Sequence, residues 1–139
     1  MKPPEEVKRG LVQEWLAKAN EDLAVARYLM GGSPPFLNTV GFHSQQAAEK
    51  YLKAYLVWRQ IDFPKTHNIA SLLKLISQAN AGLSESLHRT IGLSKHGVDA
   101  RYPADIPELS HDDANTALEL AQMAQSEVLA ALEEDGYRV

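Results

Sequence analysis

The stretch FLNTVGFHSQQAAEKYLKAYLVWRQ, residues 36–60, decides the fold, because one side of it is mostly apolar at helical spacing along its whole length. That side consists of Val40, Ser44, Ala47, Tyr51, Ala54, Tyr55 and Trp58. Pro64 follows and cannot continue a helix. A helix with so wide an apolar side needs other helices to cover it, which predicts a helical bundle.

One helix is predicted before this stretch and another after it. The first spans about residues 5–30 and ends at GGSPP (31–35), where glycines and prolines stop a helix. Its inward side contains Trp15, Ala19, Asp22, Ala26 and Leu29, with Leu11, Leu16 and Leu23 beside them. The other helix spans about residues 67–79, and Thr66 is its predicted N-cap.

The C-terminal part adds a short helical segment and a long helix. The short segment follows Gly82 and places Leu83, Leu87 and Ile91 inward. Residues 92–109 are predicted to be a loop. The last helix spans about residues 111–134, and Ser110 with Asp113 predicts a capping box at its start. The predicted fold is therefore all-α, an antiparallel up-and-down bundle of four to five helices.

Length and composition limit what the chain can do. Its 139 residues are predicted to form a single domain, 1–139, with a core over about 11–132. The net charge of −4 means that any nucleic-acid contact must use a local patch. The absence of cysteine excludes disulfides and cysteine-bound zinc or iron–sulfur sites. No membrane-spanning run or signal-peptide core is visible, which predicts a cytoplasmic protein without a membrane partner.

A row of polar side chains runs along the second helix. His43, Gln46, Lys50 and Lys53 recur at i, i+3, i+7 and i+10, and Glu49 can pair with Lys53 one turn on. Imidazole, amide and ammonium donors in one row suit a phosphate or a nucleotide. A solvated helix face explains the same pattern.

Asp22 lies on the apolar side of the first helix. An ionised carboxylate there is costly unless a cation pairs with it, and Lys50 or Arg101 could supply one. Such a pair is either a structural clamp or part of a site.

His67 follows Lys65 and Thr66 at the predicted start of the third helix. There the helix dipole favours the neutral ring, and free backbone N–H groups can help to hold an anion. An ordinary histidine near a helix cap is the alternative.

The predicted loop contains a second possible ligand-binding pair, Arg101 and Tyr102. An arginine fork and an aromatic face suit a phosphate and a base, although an arginine that braces the loop fits equally well. No metal-ligand spacing, phosphate-binding glycine loop or HExxH motif is present, so neither a metal nor a cofactor is predicted, apart from a nucleotide as ligand.

Four stretches together resemble the HEPN family, named for nucleotide binding in higher eukaryotes and prokaryotes. They are WLAKANEDLAVARYL (15–29), HSQQAAEKYLKAYLV (43–57), PKTHNIASLL (64–73) and ARYPAD (100–105). The family-type positions are Gln46, Glu49, Lys50, Lys53, His67, Arg101, Tyr102 and Pro103. The resemblance implies a helical bundle that forms a homodimer, with a ligand site near the dimer cleft. It also implies a partner MNT nucleotidyltransferase, in some cases as a toxin–antitoxin pair.

Some relatives cleave RNA without metal, using an Arg and a His separated by four to six residues. Arg101 and His111 are separated by nine residues, which is too many, whereas Arg89 and His96 are separated by six. In a working pair His96 would transfer the proton and Arg89 would stabilise the charge on phosphorus.

Three hypotheses follow from these observations. The first is a dimeric HEPN module with little or no catalytic activity, which binds a nucleotide or RNA and acts with the nucleotidyltransferase. The second is a metal-independent endoribonuclease toxin. The third is a purely structural interaction subunit whose polar residues brace the bundle.

Overall fold

The computed structural model describes residues 4–97 and 108–138. These residues form five α-helices and one 3₁₀ helix, with no strand among them. The elements are α1 (Glu5–Met30), α2 (Leu37–Trp58), α3 (Ile69–Ser77), α4 (Ala81–Ser86), the 3₁₀ helix (His88–Gly97) and α5 (His111–Glu134). The prediction of an all-α helical bundle is confirmed.

Helix α2 is the central element and packs against α1, α3, α5 and the 3₁₀ helix. Its predicted inward side is buried along its whole length, and Tyr51 and Tyr55 are completely inaccessible to solvent. Burying two such large rings contributes several kcal/mol of hydrophobic free energy, at roughly 25 cal/mol per Å² of apolar surface. These two rings anchor α2 in the core.

The buried side of α1 is centred slightly away from the predicted one. Leu16, Ala19 and Leu23 are buried as expected, and Asp22 is only 9% exposed. Leu11, however, is 41% exposed. The reason is that Val12, one residue on, occupies the core position, and neighbours in sequence differ by about 100° around a helix.

Helix α2 ends two residues earlier than predicted. The amide N–H of Ile61 donates to the carbonyl of Leu56 at 2.9 Å, and that of Gln60 donates to Val57 at 3.0 Å. Gln60 has a φ of +58°. These are the bonds of a Schellman motif, which turns the chain away before Pro64 is reached.

The prediction of Thr66 as the N-cap of α3 is wrong. The side chain of Asn68 accepts the amide N–H of Ser71 at 3.1 Å, so Asn68 is the N-cap and the helix begins at Ile69. Thr66 instead accepts the amide N–H of Asn68 through its hydroxyl at 3.0 Å. It thus stabilises the turn that precedes the cap.

The predicted loop at 92–109 is also partly wrong, because the 3₁₀ helix continues to Gly97. Leu93 is completely buried and holds this segment against the core. The predicted capping box is confirmed, since Ser110 accepts the amide N–H of Asp113 at 3.0 Å. Along the described parts of the chain, none of the helices has the length and apolarity needed to cross a bilayer.

Candidate functional site

The polar residues of α2 do not form one continuous row, because they divide between two clusters. The Asp22 cluster consists of Asp22, His43 and Lys50. The Glu49 cluster consists of Gln45, Glu49, Lys53 and His67. The first faces α1 and the second includes His67 from the segment that precedes α3, so the two present different chemistry.

In the Asp22 cluster one carboxylate of α1 binds two cation-forming groups of α2. Asp22 Oδ1 lies 2.8 Å from His43 Nδ1, and Asp22 Oδ2 lies 2.5 Å from Lys50 Nζ. His43 and Lys50 are seven residues apart, about two turns, and therefore share one face of α2. Of the two cations considered for Asp22, Lys50 is found paired with it and Arg101 lies outside the described residues; His43 is an additional partner that the sequence did not indicate.

The two groups held by Asp22 remain accessible. The side chains of His43 and Lys50 are 26% and 24% exposed, whereas that of Asp22 is 13% exposed. Within the described residues, no hydrogen bond uses His43 Nε2 or a second proton of Lys50. With Nδ1–H donating to Asp22, Nε2 accepts when the ring is neutral and donates when it is protonated. Lys50 can therefore donate to an anion, and His43 can do so when its ring is protonated.

The Glu49 cluster is buried more deeply. Glu49 is 1% exposed, and its Oε1 lies 2.8 Å from His67 Nδ1 and 3.3 Å from Lys53 Nζ. Its Oε2 accepts from Gln45 Nε2 at 3.4 Å. The predicted Glu49–Lys53 pair is present, and these contacts satisfy a carboxylate that would otherwise be too costly to bury.

Lys53 points into the interior rather than along the outer row. It is only 9% exposed, and its ammonium lies 5.5 Å from the ring centroid of Trp15 and 5.9 Å from that of Phe63. Aromatic faces attract a cation at such distances. Lys53 is therefore occupied by Glu49 and two rings, and His43 and Lys50 are the more accessible cation-forming groups on α2.

Gln45 also belongs to this cluster, although the sequence pattern did not single it out. It is completely buried and donates both to Glu49 and to the backbone carbonyl of His67, each at 3.4 Å. Its own oxygen accepts from Gln46 Nε2 at 2.8 Å. A glutamine beside the apolar side of a helix was the available signal. Gln46, which was predicted to bind ligand, is only partly exposed and points along the same network.

The sequence placed His67 at the start of the third helix, but in the structure it lies outside α3. It precedes Ile69 by two residues, and its Nδ1 is bonded to Glu49. Its side chain is 74% exposed. A buried carboxylate, rather than a helix dipole, therefore orients this ring.

Arg89 and His96 both lie on the 3₁₀ helix, Arg89 near its start and His96 near its end. Arg89 is exposed, while the His96 ring packs on α2 so closely that a Cβ added to Gly41 would lie 3.2 Å from its Cγ. Burial, with a smaller contribution from Lys95, lowers the pKa of His96. The two candidate residues therefore differ in exposure and in surroundings.

The remaining predicted residues, Arg101, Tyr102 and Pro103, lie outside the described residues.

His96 also lines a cavity of about 180 Å³ beside the first turns of α5, with Asp113 and Thr116 on its wall. Within residues 4–97 and 108–138, no group of three or more His, Asp or Glu side chains is placed to hold a metal ion.

Comparison with known proteins agrees with this architecture. The family model of the HEPN domain matches residues 12–131. The crystal structure of the archaeal HEPN homologue ST0689 superposes with a TM-score of 0.68 at 25% identity, covering 87% of this chain and 97% of that one. The crystal structure of TT1696 from Thermus thermophilus has a TM-score of 0.68 at 26% identity, covering 86% and 96%. None of the curated proteins matches. Since the family model spans most of the sequence, the chain belongs to the HEPN domain family.

Proposed function

We propose that this HEPN module binds a nucleotide or RNA through the Asp22 cluster. The observation that carries the proposal is the arrangement around one buried carboxylate, which holds the His43 imidazole at 2.8 Å and the Lys50 ammonium at 2.5 Å. Both side chains keep about a quarter of their surface in solvent, so a phosphate can reach them. A chain with a net charge of −4 needs such a local site to hold an anion.

Replacing Lys50 tests the proposal. We expect Lys50→Gln to weaken binding of a fluorescently labelled single-stranded oligoribonucleotide about tenfold, because one charge-assisted hydrogen bond to phosphate is lost. Fluorescence anisotropy in EDTA measures the dissociation constant. Lys74→Gln removes the same charge from an exposed position in the last turn of α3 and should leave binding unchanged.

The melting temperature of each variant shows whether Lys50 binds RNA or only stabilises the bundle. If Lys50→Gln lowered the melting temperature but bound the strand as well as the wild type does, the Asp22 cluster would only stabilise the bundle. The module would then be a structural interaction subunit.

A metal-independent endoribonuclease that uses Arg89 and His96 is the second candidate. The six residues that separate Arg89 from His96 in the sequence are the observation that favours it. Gel analysis of the same RNA after incubation in EDTA tests this directly. Product that disappears in both Arg89→Ala and His96→Ala would favour the nuclease, and intact RNA would favour the binding module.

We propose further that the module is a homodimer and acts with an MNT nucleotidyltransferase, as a toxin–antitoxin-like pair. In support, α1 exposes Val7 (46%) and Leu11 (41%) to solvent. A groove of about 640 Å³ begins at Leu11 and is lined by Leu11, Glu14, Trp15, Ala17, Lys18 and Glu21. Apolar side chains in such a groove gain free energy when a partner covers them.

Two measurements test the assembly. We expect light scattering at micromolar concentration to give twice the mass of the 139-residue chain. We also expect a co-expressed MNT nucleotidyltransferase to be retained with the tagged module on a column. A monomeric mass would contradict the dimer, and loss of the nucleotidyltransferase on washing would contradict the pairing.

A further inference from the structure

Phe42 is an aromatic residue that α2 leaves in solvent, next to the Asp22 cluster. Its exposure is 42%, whereas Tyr51, Tyr55 and Trp58 of the same helix are between 0 and 6% exposed. The helix that forms the centre of the core therefore keeps one large ring outside it. Exposure alone is ordinary for a single apolar side chain, so what matters is the place of this ring beside His43 and Lys50.

The ring of Phe42 is held in a defined position. Its centroid lies 5.3 Å from that of the His43 imidazole, and the two planes make an angle of 84°. His43 is in turn fixed by the 2.8 Å bond from Nδ1 to Asp22. An isolated exposed side chain has no such support. The contact with His43, and the bond from His43 to Asp22, thus hold the phenyl ring in place at the surface.

A flat exposed ring beside a cationic group matches the two parts of a nucleotide. A base stacks on an aromatic face, while the phosphate binds ammonium and imidazole groups. Gln46 lies one turn after Phe42 and Lys50 one turn after Gln46, so the ring and the donors follow one another along α2. A duplex offers its phosphates but keeps its bases stacked on each other.

From this juxtaposition we infer that Phe42 is a stacking platform for an unpaired base, and that the Asp22 cluster takes single-stranded rather than duplex nucleic acid. The inference rests on the proposed function, since the phosphate of the same nucleotide binds His43 and Lys50. Phe42 is then a specificity-determining residue. It distinguishes a strand with an accessible base from any other polyanion.

The test compares a labelled single-stranded oligoribonucleotide with an abasic oligoribonucleotide of the same length and charge. We expect the wild type to bind the natural strand about tenfold more tightly, the effect typical of one stacked base. Phe42→Leu should remove this preference and leave abasic binding unchanged. Phe42→Trp should keep the preference, and Lys50→Gln should weaken both probes alike.

Tyr28→Ala is the matched control. Tyr28 is 82% exposed and lies six residues after Asp22, which places it about 120° away around α1. Its removal should alter neither probe. Equal binding of the two probes, unaffected by Phe42→Leu, would overturn the stacking role while leaving the phosphate site intact. No binding of either probe to the wild type would overturn the proposed function itself.

One further outcome would also overturn the inference. If Phe42→Leu changed the mass measured by light scattering, the ring would belong to an interface between proteins. A duplex of the same sequence that bound as tightly as the single strand would contradict the assigned ligand class.

Discussion

Glu49→Ala is expected to lower the free energy of unfolding by about 4 kcal/mol, the loss typical when one partner of a buried ion pair is removed. Glu49 is 1% exposed, and Lys53, which it pairs at 3.3 Å, is 9% exposed. Without the carboxylate, the Lys53 ammonium is left inside with only the faces of Trp15 and Phe63 near it. Urea unfolding followed by circular dichroism measures the change.

The double variant Glu49→Leu/Lys53→Met is the informative control. Replacing both charges by apolar side chains removes the buried cation as well, and such replacements are often neutral or stabilising. We expect the double variant to be more stable than Glu49→Ala by at least about 2 kcal/mol. A double variant as unstable as the single one would mean that the carboxylate acts through His67 and Gln45 rather than through Lys53.

Asp22→Ala is expected to lower the free energy of unfolding by about 3 kcal/mol, near the lower end of the loss seen when a buried ion pair is broken. The lower end applies because Lys50 and His43, at 24% and 26% side-chain exposure, can still reach water when the carboxylate is gone. Asp22→Asn should cost less, since the amide oxygen still accepts one hydrogen bond. The free energy of unfolding is again obtained from urea titration.

A small effect at Asp22 would contradict the buried clamp. A loss below about 0.5 kcal/mol is what an exposed ion pair contributes. In that case Asp22 would orient His43 and Lys50 without contributing to the free energy of unfolding. The binding assay on Lys50→Gln would then decide its role alone.

Much of the fold could be predicted from local pattern. The buried side of α2 and the Ser110 capping box depend on spacing within one helix or one turn, and both are present in the structure. Errors arose where two local solutions competed. Thr66 and Asn68 are both good capping residues, and the chain uses Thr66 for the preceding turn and Asn68 for the cap.

The candidate site was less predictable, because the helices that pack on α2 divide its polar residues between the Asp22 cluster and the Glu49 cluster. Lys50 and Lys53 differ by about 60° around α2, which looks like one row in the sequence. In the structure Lys50 meets Asp22 at the rim of α1, whereas Lys53 is covered by Trp15 and Phe63. Periodicity gives the angle of a side chain around its own helix but not what covers it.

The sequence by itself determined the all-α bundle and the resemblance to the HEPN family, because helical periodicity and motif spacing can be read from the chain alone. Only the tertiary structure decided that His43 joins Lys50 on Asp22 and that Glu49 is buried with Gln45, Lys53 and His67. The Asp22 contacts join residues 21 and 28 positions apart. Their formation depends on how α1 and α2 pack side by side, which fixes the register between two helices and therefore which charges meet.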